Sequence, residues 1–438
     1  MTTDVRPTPN ATATLDRPAE SFLDGLRCRN CGAAEDIGPA FVCPACFGPL
    51  EVVYDLPAIA RAIDQLTIER RAPGIWRYRE LLPVDGVPLR GLQVGSTPLV
   101  RGDRLGAEIG LDRLWLKDDT RNPTLSFKDR PVAMAAARAV EFGFDTLACA
   151  STGNLAGATA AAAAALGLRA FVFIPADLEP AKIEHALAFG ATVIPVDGTY
   201  DEVNRLSLEI ADEEGWAFVN VNLRPYYSEG SKTLSFEIAE QLGWRLPDAV
   251  VAPIASGSLF TKVAKGFREL VEVGLVEPKP IRFIGAQAAG CGPVADAWAS
   301  GSDTIVPVQH PDTIVRSLSI GSPADGSYAL QLARSTGGST EGVSDAATAD
   351  AIRLVGRAEG IATETAGGVT VAAAALARAR GVIRADEETV VLLTGNGVKT
   401  PDARRFGLDG EAATAGRIGL ASPIAPTLGA FERWLQGS

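Results

Sequence analysis

The chain has 438 residues, 47% of them apolar and 21% charged, with a net charge of -12 at pH 7. That length calls for two or three domains with sizeable cores, and the acidic balance argues against binding nucleic acid or an anionic membrane surface, which needs basic patches. No run of roughly 18 apolar residues could cross a bilayer and no apolar leader follows Met1, so the reading is a cytoplasmic protein without nucleic-acid or membrane partners.

Residues 1–24 are polar and rich in Pro and Thr, and are expected as a disordered tail. Cys28-Arg29-Asn30-Cys31 and Cys43-Pro44-Ala45-Cys46 then form two CxxC knuckles. Four thiolates so spaced suit a tetrahedral metal, so residues 25–54 are expected as a zinc-ribbon-like subdomain. A structural zinc would sit on Cys28, Cys31, Cys43 and Cys46; four reduced thiols in a small hairpin are the alternative. Residues 55–95 read as a linker or N-terminal arm. The remaining cysteines, Cys149 and Cys291, stand alone in apolar or Gly-flanked stretches and read as buried thiols. With only His185 and His310 present, a histidine-rich metal site or a histidine-based triad has little material.

Leu114–Lys117 reads as a strand that enters the polar turn Pro123-Thr124-Leu125-Ser126-Phe127-Lys128. An Ala-rich helix follows from Arg130. Next come strands Thr146–Ala150, Ala170–Ile174 and Thr192–Val196, with helices Asn154–Leu166 and Pro180–Phe189 between them. Helix Asp201–Glu214 and strand Trp216–Val221 follow. Buried strands Ala249–Ile254, Arg282–Gln287 and Thr389–Leu393 alternate with helices Leu259–Val273, Ser344–Glu359 and Gly368–Arg380. Apolar strands alternating with helices predict an α/β fold, with parallel sheets covered on both faces.

Four stretches lie where such sheets place ligands. Lys128 sits at a loop-to-helix junction, where its amine can form a Schiff base with an aldehyde, the covalent anchor of pyridoxal 5'-phosphate (PLP). A solvated lysine paired with Asp129 is the plain alternative. Ser151-Thr152-Gly153-Asn154 joins a strand to a helix and could bind an anion, or simply cap the helix. Ala255-Ser256-Gly257-Ser258-Leu259 is small enough for close backbone approach to a phosphate, or is a plain turn. Thr394-Gly395-Asn396-Gly397 ends the last strand, where Thr394 could meet a ring nitrogen or merely turn the chain. Together they supply a lysine for the aldehyde, an amide for the ring oxygen, a loop for the phosphate and a hydroxyl for the ring nitrogen of PLP.

The runs Ser126-Phe127-Lys128-Asp129-Arg130, Ser151–Asn154, Asn222–Thr233, Pro253–Lys262, Gly285–Gln287, Glu364–Gly368 and Thr394–Lys399 resemble the threonine synthase family. The likeness, from about Cys28 to Lys399, is to the bacterial branch with paired N-terminal CxxC knuckles. It implies two doubly wound sheet domains of the tryptophan-synthase-β type (fold type II). A large PLP domain would comprise residues 96–128 and 228–438, and a small mobile domain residues 129–227. The implied activity is elimination of phosphate from O-phospho-L-homoserine and addition of water to give L-threonine, in a homodimer. Lys128 would anchor PLP and move protons, Asn154 would contact the ring oxygen, Ala255 to Leu259 the cofactor phosphate, and Thr394 the ring nitrogen. Ser151 and Thr152 would hold the substrate carboxylate; Arg224 and Lys232 would hold its phosphate. Three features depart from the family pattern: the Ala-Ser-Gly-Ser-Leu loop, Leu125 where Gly is common, and the spacing of Arg224. The alternatives are a threonine dehydratase or a cysteate-synthase-like enzyme of the same fold, or a catalytically silent zinc-ribbon interaction protein.

Overall fold

The computed structural model describes residues 15–16, 21–88, 90–151, 153–176, 184–197, 200–400, 403, 406 and 424–436. Most of the tail expected to be disordered lies outside these residues.

Five parallel strands build the larger sheet, in the order Ser339–Val343, Arg282–Ala288, Ala249–Pro253, Glu388–Leu393 and Arg113–Asp118. Leu99–Arg101 adds an antiparallel edge. The smaller sheet is parallel throughout, in the order Thr192–Val196, Arg169–Pro175, Thr146–Ala150 and Ala217–Phe218. All four of its strands come from the span 129–227.

These strands read as unbroken apolar runs because both faces are buried. Val250 and Ala252 face one core while Ala249 and Val251 face another. In the smaller sheet Leu147 and Cys149 oppose Ala148 and Ala150 in the same way. A period of two with both faces apolar is the mark of a sheet sandwiched by helices. Helix Asn154–Leu166 is buried almost all round, and its alanines let helix Asp129–Glu141 and strand Thr146–Ala150 come close.

One strand expectation needs correction, and one helix expectation lies partly outside the described residues. Strand Trp216–Val221 shrinks to Ala217–Phe218, because Asn222 folds its side chain back onto Phe218 N and Trp216 O and turns the chain. Helix Pro180–Phe189 is seen as Glu184–Ala188, its first residues lying outside the described ones. The stretch read as a linker holds helices Leu56–Ala62 and Gln65–Glu69. Asp55 and Asp64 cap them by accepting from Ala58 N and Thr67 N. Their residues Ile59 and Ile68, with Ile63 just past the first helix, join the main core.

One buried charge network ties these parts together. Arg130 is fully buried; its Nε and Nη2 donate to Asp119 (2.7 and 2.9 Å), and Nη1 and Nη2 to Glu237 (2.7 and 2.8 Å). Glu237, on helix Thr233–Gln241, also accepts from Lys117 Nζ (2.6 Å) and Ser96 N (2.8 Å). Burial alone would raise the Glu237 pKa, but Arg130 and Lys117 outweigh it and hold the carboxyl well below its usual range. Gly95 must be glycine here: its φ is +83°, and a Cβ would stand 2.5 Å from Glu237 Oε1.

Glu237→Gln would leave buried Lys117 without its carboxylate and Arg130 with Asp119 alone, and is expected to lower unfolding free energy by about 3–5 kcal/mol in urea titrations. Because the folded pKa of Glu237 is depressed, its contribution is fully present above the unfolded value and is lost as pH falls through the folded one. The variant should therefore lose less stability than the parent on acidification.

Candidate active site

The lysine loop is stitched to the tip of the last strand. Phe127 N donates to Thr394 O (2.9 Å) and Asn396 N to Leu125 O (3.0 Å), with a bridge pairing Ser126 and Gly395. Leu125 has φ +61°, which explains why glycine would suit this position. Asp129 closes the turn from the other side, accepting from Thr124 N and Oγ1 (2.7 Å each). Burial pushes its carboxyl up to about 6 despite those donors. Committed to Thr124, Asp129 is not the partner of Lys128. Instead Lys128 Nζ donates to the Tyr227 hydroxyl (2.9 Å) and lies 4.9 Å from the Phe127 ring centre. No carboxylate forms an ion pair with it among the described residues.

Asn154 opens its helix beside this loop. Its Nδ2 donates to Glu364 Oε1 and Oε2 (3.1 and 3.0 Å), and its Oδ1 accepts from Lys399 Nζ (2.9 Å). Burial raises the Glu364 pKa, opposed by the Asn154 amide and by the charges of Lys399 and Lys128. Lys399 also donates to Thr124 O, so it straps Asn154 to the lysine loop. Gly395 allows the close approach: a Cβ there would stand 2.2 Å from Glu364 Oε1. Thr394 is buried at the strand end. Ser151 is half-buried just past strand Thr146–Ala150, its Oγ accepting from Gly153 N (3.3 Å). Thr152 lies outside the described residues. Tyr227, Glu364 and Lys399 had no role from the sequence, although each lay inside a run already singled out.

Helix Ser258–Glu272 begins at Gly257, which has φ +93° and supplies no side-chain cap. A Cβ on Gly257 would stand 2.6 Å from Asp325 O, and Asp325 N donates to Ser256 O (2.8 Å). The first turn thus offers bare N–H groups and a positive dipole end, the donor set that a phosphate takes. Tyr227 and Ser228, adjacent on helix Arg224–Glu229, connect the two places: Tyr227 holds Lys128, and Ser228 lines a narrow cleft with Ser258 and Arg224. The Ser126 hydroxyl, two residues before Lys128, is buried without a partner. A lysine amine held by a hydroxyl rather than a carboxylate, a nearby amide, an orphaned serine and an uncapped helix start fit PLP.

Arg224 lines that cleft and pairs with Asp325 (3.1 Å). Lys232 does not join it. The expectation for Lys232 as a substrate ligand is corrected: it is fully buried, ion-paired with Glu229 (2.7 Å) and Glu269 (2.8 Å), and sits 3.9 Å from the Tyr54 ring centre. Its charge neutralises buried carboxylates and does not reach a ligand.

The four knuckle sulfurs lie within 4.8 Å of one another, with Cys28 to Cys46 at 3.4 Å and Cys31 to Cys43 at 3.8 Å. A tetrahedral zinc with Zn–S near 2.3 Å needs sulfurs about 3.8 Å apart, so the set fits zinc. Each knuckle ends alike: Gly32 N and Phe47 N donate to the carbonyls of Cys28 and Cys43 (3.1 and 2.8 Å), with φ of +76° and +59°.

Two outcomes follow. Metal analysis should find about one zinc per chain, and Cys28→Ser with Cys43→Ser should lose it. Gly257→Ala should weaken PLP binding, read as loss of cofactor on dialysis, because the added methyl has no room against Asp325.

Residues 91–395 match the family model described as pyridoxal-phosphate dependent enzyme. The threonine synthase of Methanosarcina acetivorans is 36% identical over 378 residues, 86% of this chain and 92% of that protein. That of Methanocaldococcus jannaschii is 35% identical over 379 residues, covering 86% and 93%. Among solved structures, threonine deaminase isoform 2 of Solanum lycopersicum matches with a TM-score of 0.59 at 22% identity, covering 72% of this chain and 84% of that one. Diaminopropionate ammonia lyase of Escherichia coli gives 0.60 at 22%, covering 73% and 89%. These structures share the fold, and the closer sequence relatives narrow the assignment: this chain belongs to the threonine synthase family of PLP-dependent enzymes.

Proposed function

We propose that the protein converts O-phospho-L-homoserine and water to L-threonine and inorganic phosphate, with PLP carried on Lys128. The observation that supports this reading is a second candidate anion contact beside the uncapped helix start at Gly257: the guanidinium of Arg224, which lines the adjoining cleft. A threonine dehydratase needs only the first.

Bound PLP supplies the electron sink that makes the Cα proton of an amino acid acidic. Lys128 moves that proton. Tyr227, 2.9 Å away, keeps the freed amine pointed at the reacting carbons and can itself donate or accept. Glu364 and Lys399 hold Asn154 from either side, fixing which way its amide faces the ring oxygen. With PLP bound, Thr394 would meet the ring nitrogen with a neutral hydroxyl in place of a carboxylate. Ser151, with Thr152, holds the substrate carboxylate. Arg224 holds the phosphate as it leaves Cγ and keeps it near, where it assists addition of water at Cβ. Residues 129–227 form the smaller domain, closing over the remaining body so that water enters only at that step. The working form is a cytoplasmic homodimer.

The direct test is product analysis of the holoenzyme with O-phospho-L-homoserine, which should yield threonine and phosphate in equal amounts. Formation of 2-oxobutanoate from threonine, with no threonine made from the phosphate ester, would favour the dehydratase. Arg224→Ala should cost about 2–3 kcal/mol, roughly 30- to 150-fold in kcat/KM for the phosphorylated substrate. Any deamination of threonine should fall much less; an equal fall would make Arg224 structural.

A further inference from the structure

Arg29 lies between two knuckle cysteines, Cys28 and Cys31, yet its side chain points away from them into the Arg224 cleft. The guanidinium stacks on Tyr328, 3.6 Å from the ring centre, and Nη1 donates to Asp325 Oδ1 (3.2 Å). Asn30, the next residue, accepts from the Tyr328 hydroxyl. The stacked ring and the knuckle therefore fix where the guanidinium stands. Arg224 meets the other oxygen of the same carboxylate, Nη2 to Oδ2 at 3.1 Å. Asp325 is the only hydrogen-bond acceptor of either guanidinium among the described residues. Two guanidiniums thus share one carboxylate, and most of their N–H donors stay unused.

The floor of the cleft does not cancel this surplus. There Lys262, the one lysine on its lining, is already paired with Glu51 (2.7 Å) and Glu229 (2.6 Å). With Lys262 so paired, Arg29, Arg224 and Asp325 together keep one positive charge, and Ser228 and Ser258 also line the cleft. Once Asp325 moves aside, such a seat offers a tetrahedral dianion two planar forks and two hydroxyls.

We propose that Arg29 is a ligand for a phosphate monoester in this cleft, delivered by the cysteine knuckle, and that Asp325 is the built-in counter-ion which the phosphate displaces. The proposal rests on the reading of Arg224 given above and adds a binding role for the N-terminal subdomain. The phosphate could belong to the substrate or to the cofactor, whose loop adjoins the cleft at Ser258.

The test compares the parent, Arg29→Ala, Arg29→Lys and Asp325→Asn as full-length protein. Zinc content is measured first, then inorganic phosphate binding to the PLP-loaded form by calorimetry, then PLP affinity of the apo form by absorbance titration. Arg29→Ala should keep its zinc and bind phosphate at least about tenfold more weakly. Arg29→Lys should recover part of the loss, and Asp325→Asn should bind phosphate more tightly than the parent. Weaker phosphate binding at unchanged PLP affinity assigns the seat to the substrate; a matching loss of PLP affinity assigns it to the cofactor. Unchanged affinities for both in Arg29→Ala would overturn the proposal, as would weaker phosphate binding in Asp325→Asn. If Arg29→Ala loses zinc, Arg29→Lys and Asp325→Asn decide by the same readings. A parent that makes threonine from the phosphate ester while Arg29→Ala binds phosphate normally would sink only this proposal. A parent that makes no threonine would sink the reading beneath it.

Discussion

The Arg130 guanidinium, held by Asp119 and Glu237, is the constraint on which the active site depends. It lies two residues past Lys128, and its carboxylate partners flank it in the sequence: Asp119 follows the strand Arg113–Asp118, and Glu237 sits on helix Thr233–Gln241. Buried ions are costly unless every donor is met. Here Asp119, Glu237, Thr97 and Thr233 together meet all three guanidinium nitrogens. The helix that starts at Lys128 therefore cannot shift without breaking a desolvated pair, and the lysine amine inherits that rigidity. Such preorganisation suits a group that must take and return a proton without drifting.

The same reasoning separates the cations that bind from those that brace. Lys232, Lys262 and Lys265 surround Glu229, whose carboxyl burial would raise but whose three lysines hold it far below normal. They are spent on one another. Lys128 and Arg224 are only partly buried, and Arg224 and Arg29 keep donors in hand. Burial and partners, rather than charge alone, decide which side chain can meet a ligand.

Much of this was legible in the residues. Unbroken apolar strands separated by helices gave the α/β architecture, because two-sided burial leaves no polar alternation to read otherwise. Thr146–Ala150, Thr192–Val196 and Asn154–Leu166 fall where expected, each bounded by a turn or a glycine. The stretches that carry Lys128, Asn154 and Thr394 are linked in the fold, through Phe127 N to Thr394 O and through Lys399 to both Thr124 and Asn154. What stayed hidden depended on contacts distant in sequence. Lys232 looked available only because its partner Glu269 lies on another helix. Tyr227, Glu364 and Arg29 gave no local sign, because their meaning comes from Lys128, Asn154 and Asp325, all about a hundred residues or more away. Helices Leu56–Ala62 and Gln65–Glu69 were short enough to pass as a linker, their caps being single aspartates.

The placement of Lys128 is the claim from which the rest follows, and chemical trapping tests it most directly. The PLP-loaded protein should be yellow, and borohydride reduction followed by peptide mass mapping should place the pyridoxyl group on Lys128 alone. A label on Lys399, Lys262 or any other lysine, or none at all after PLP is supplied, would contradict it.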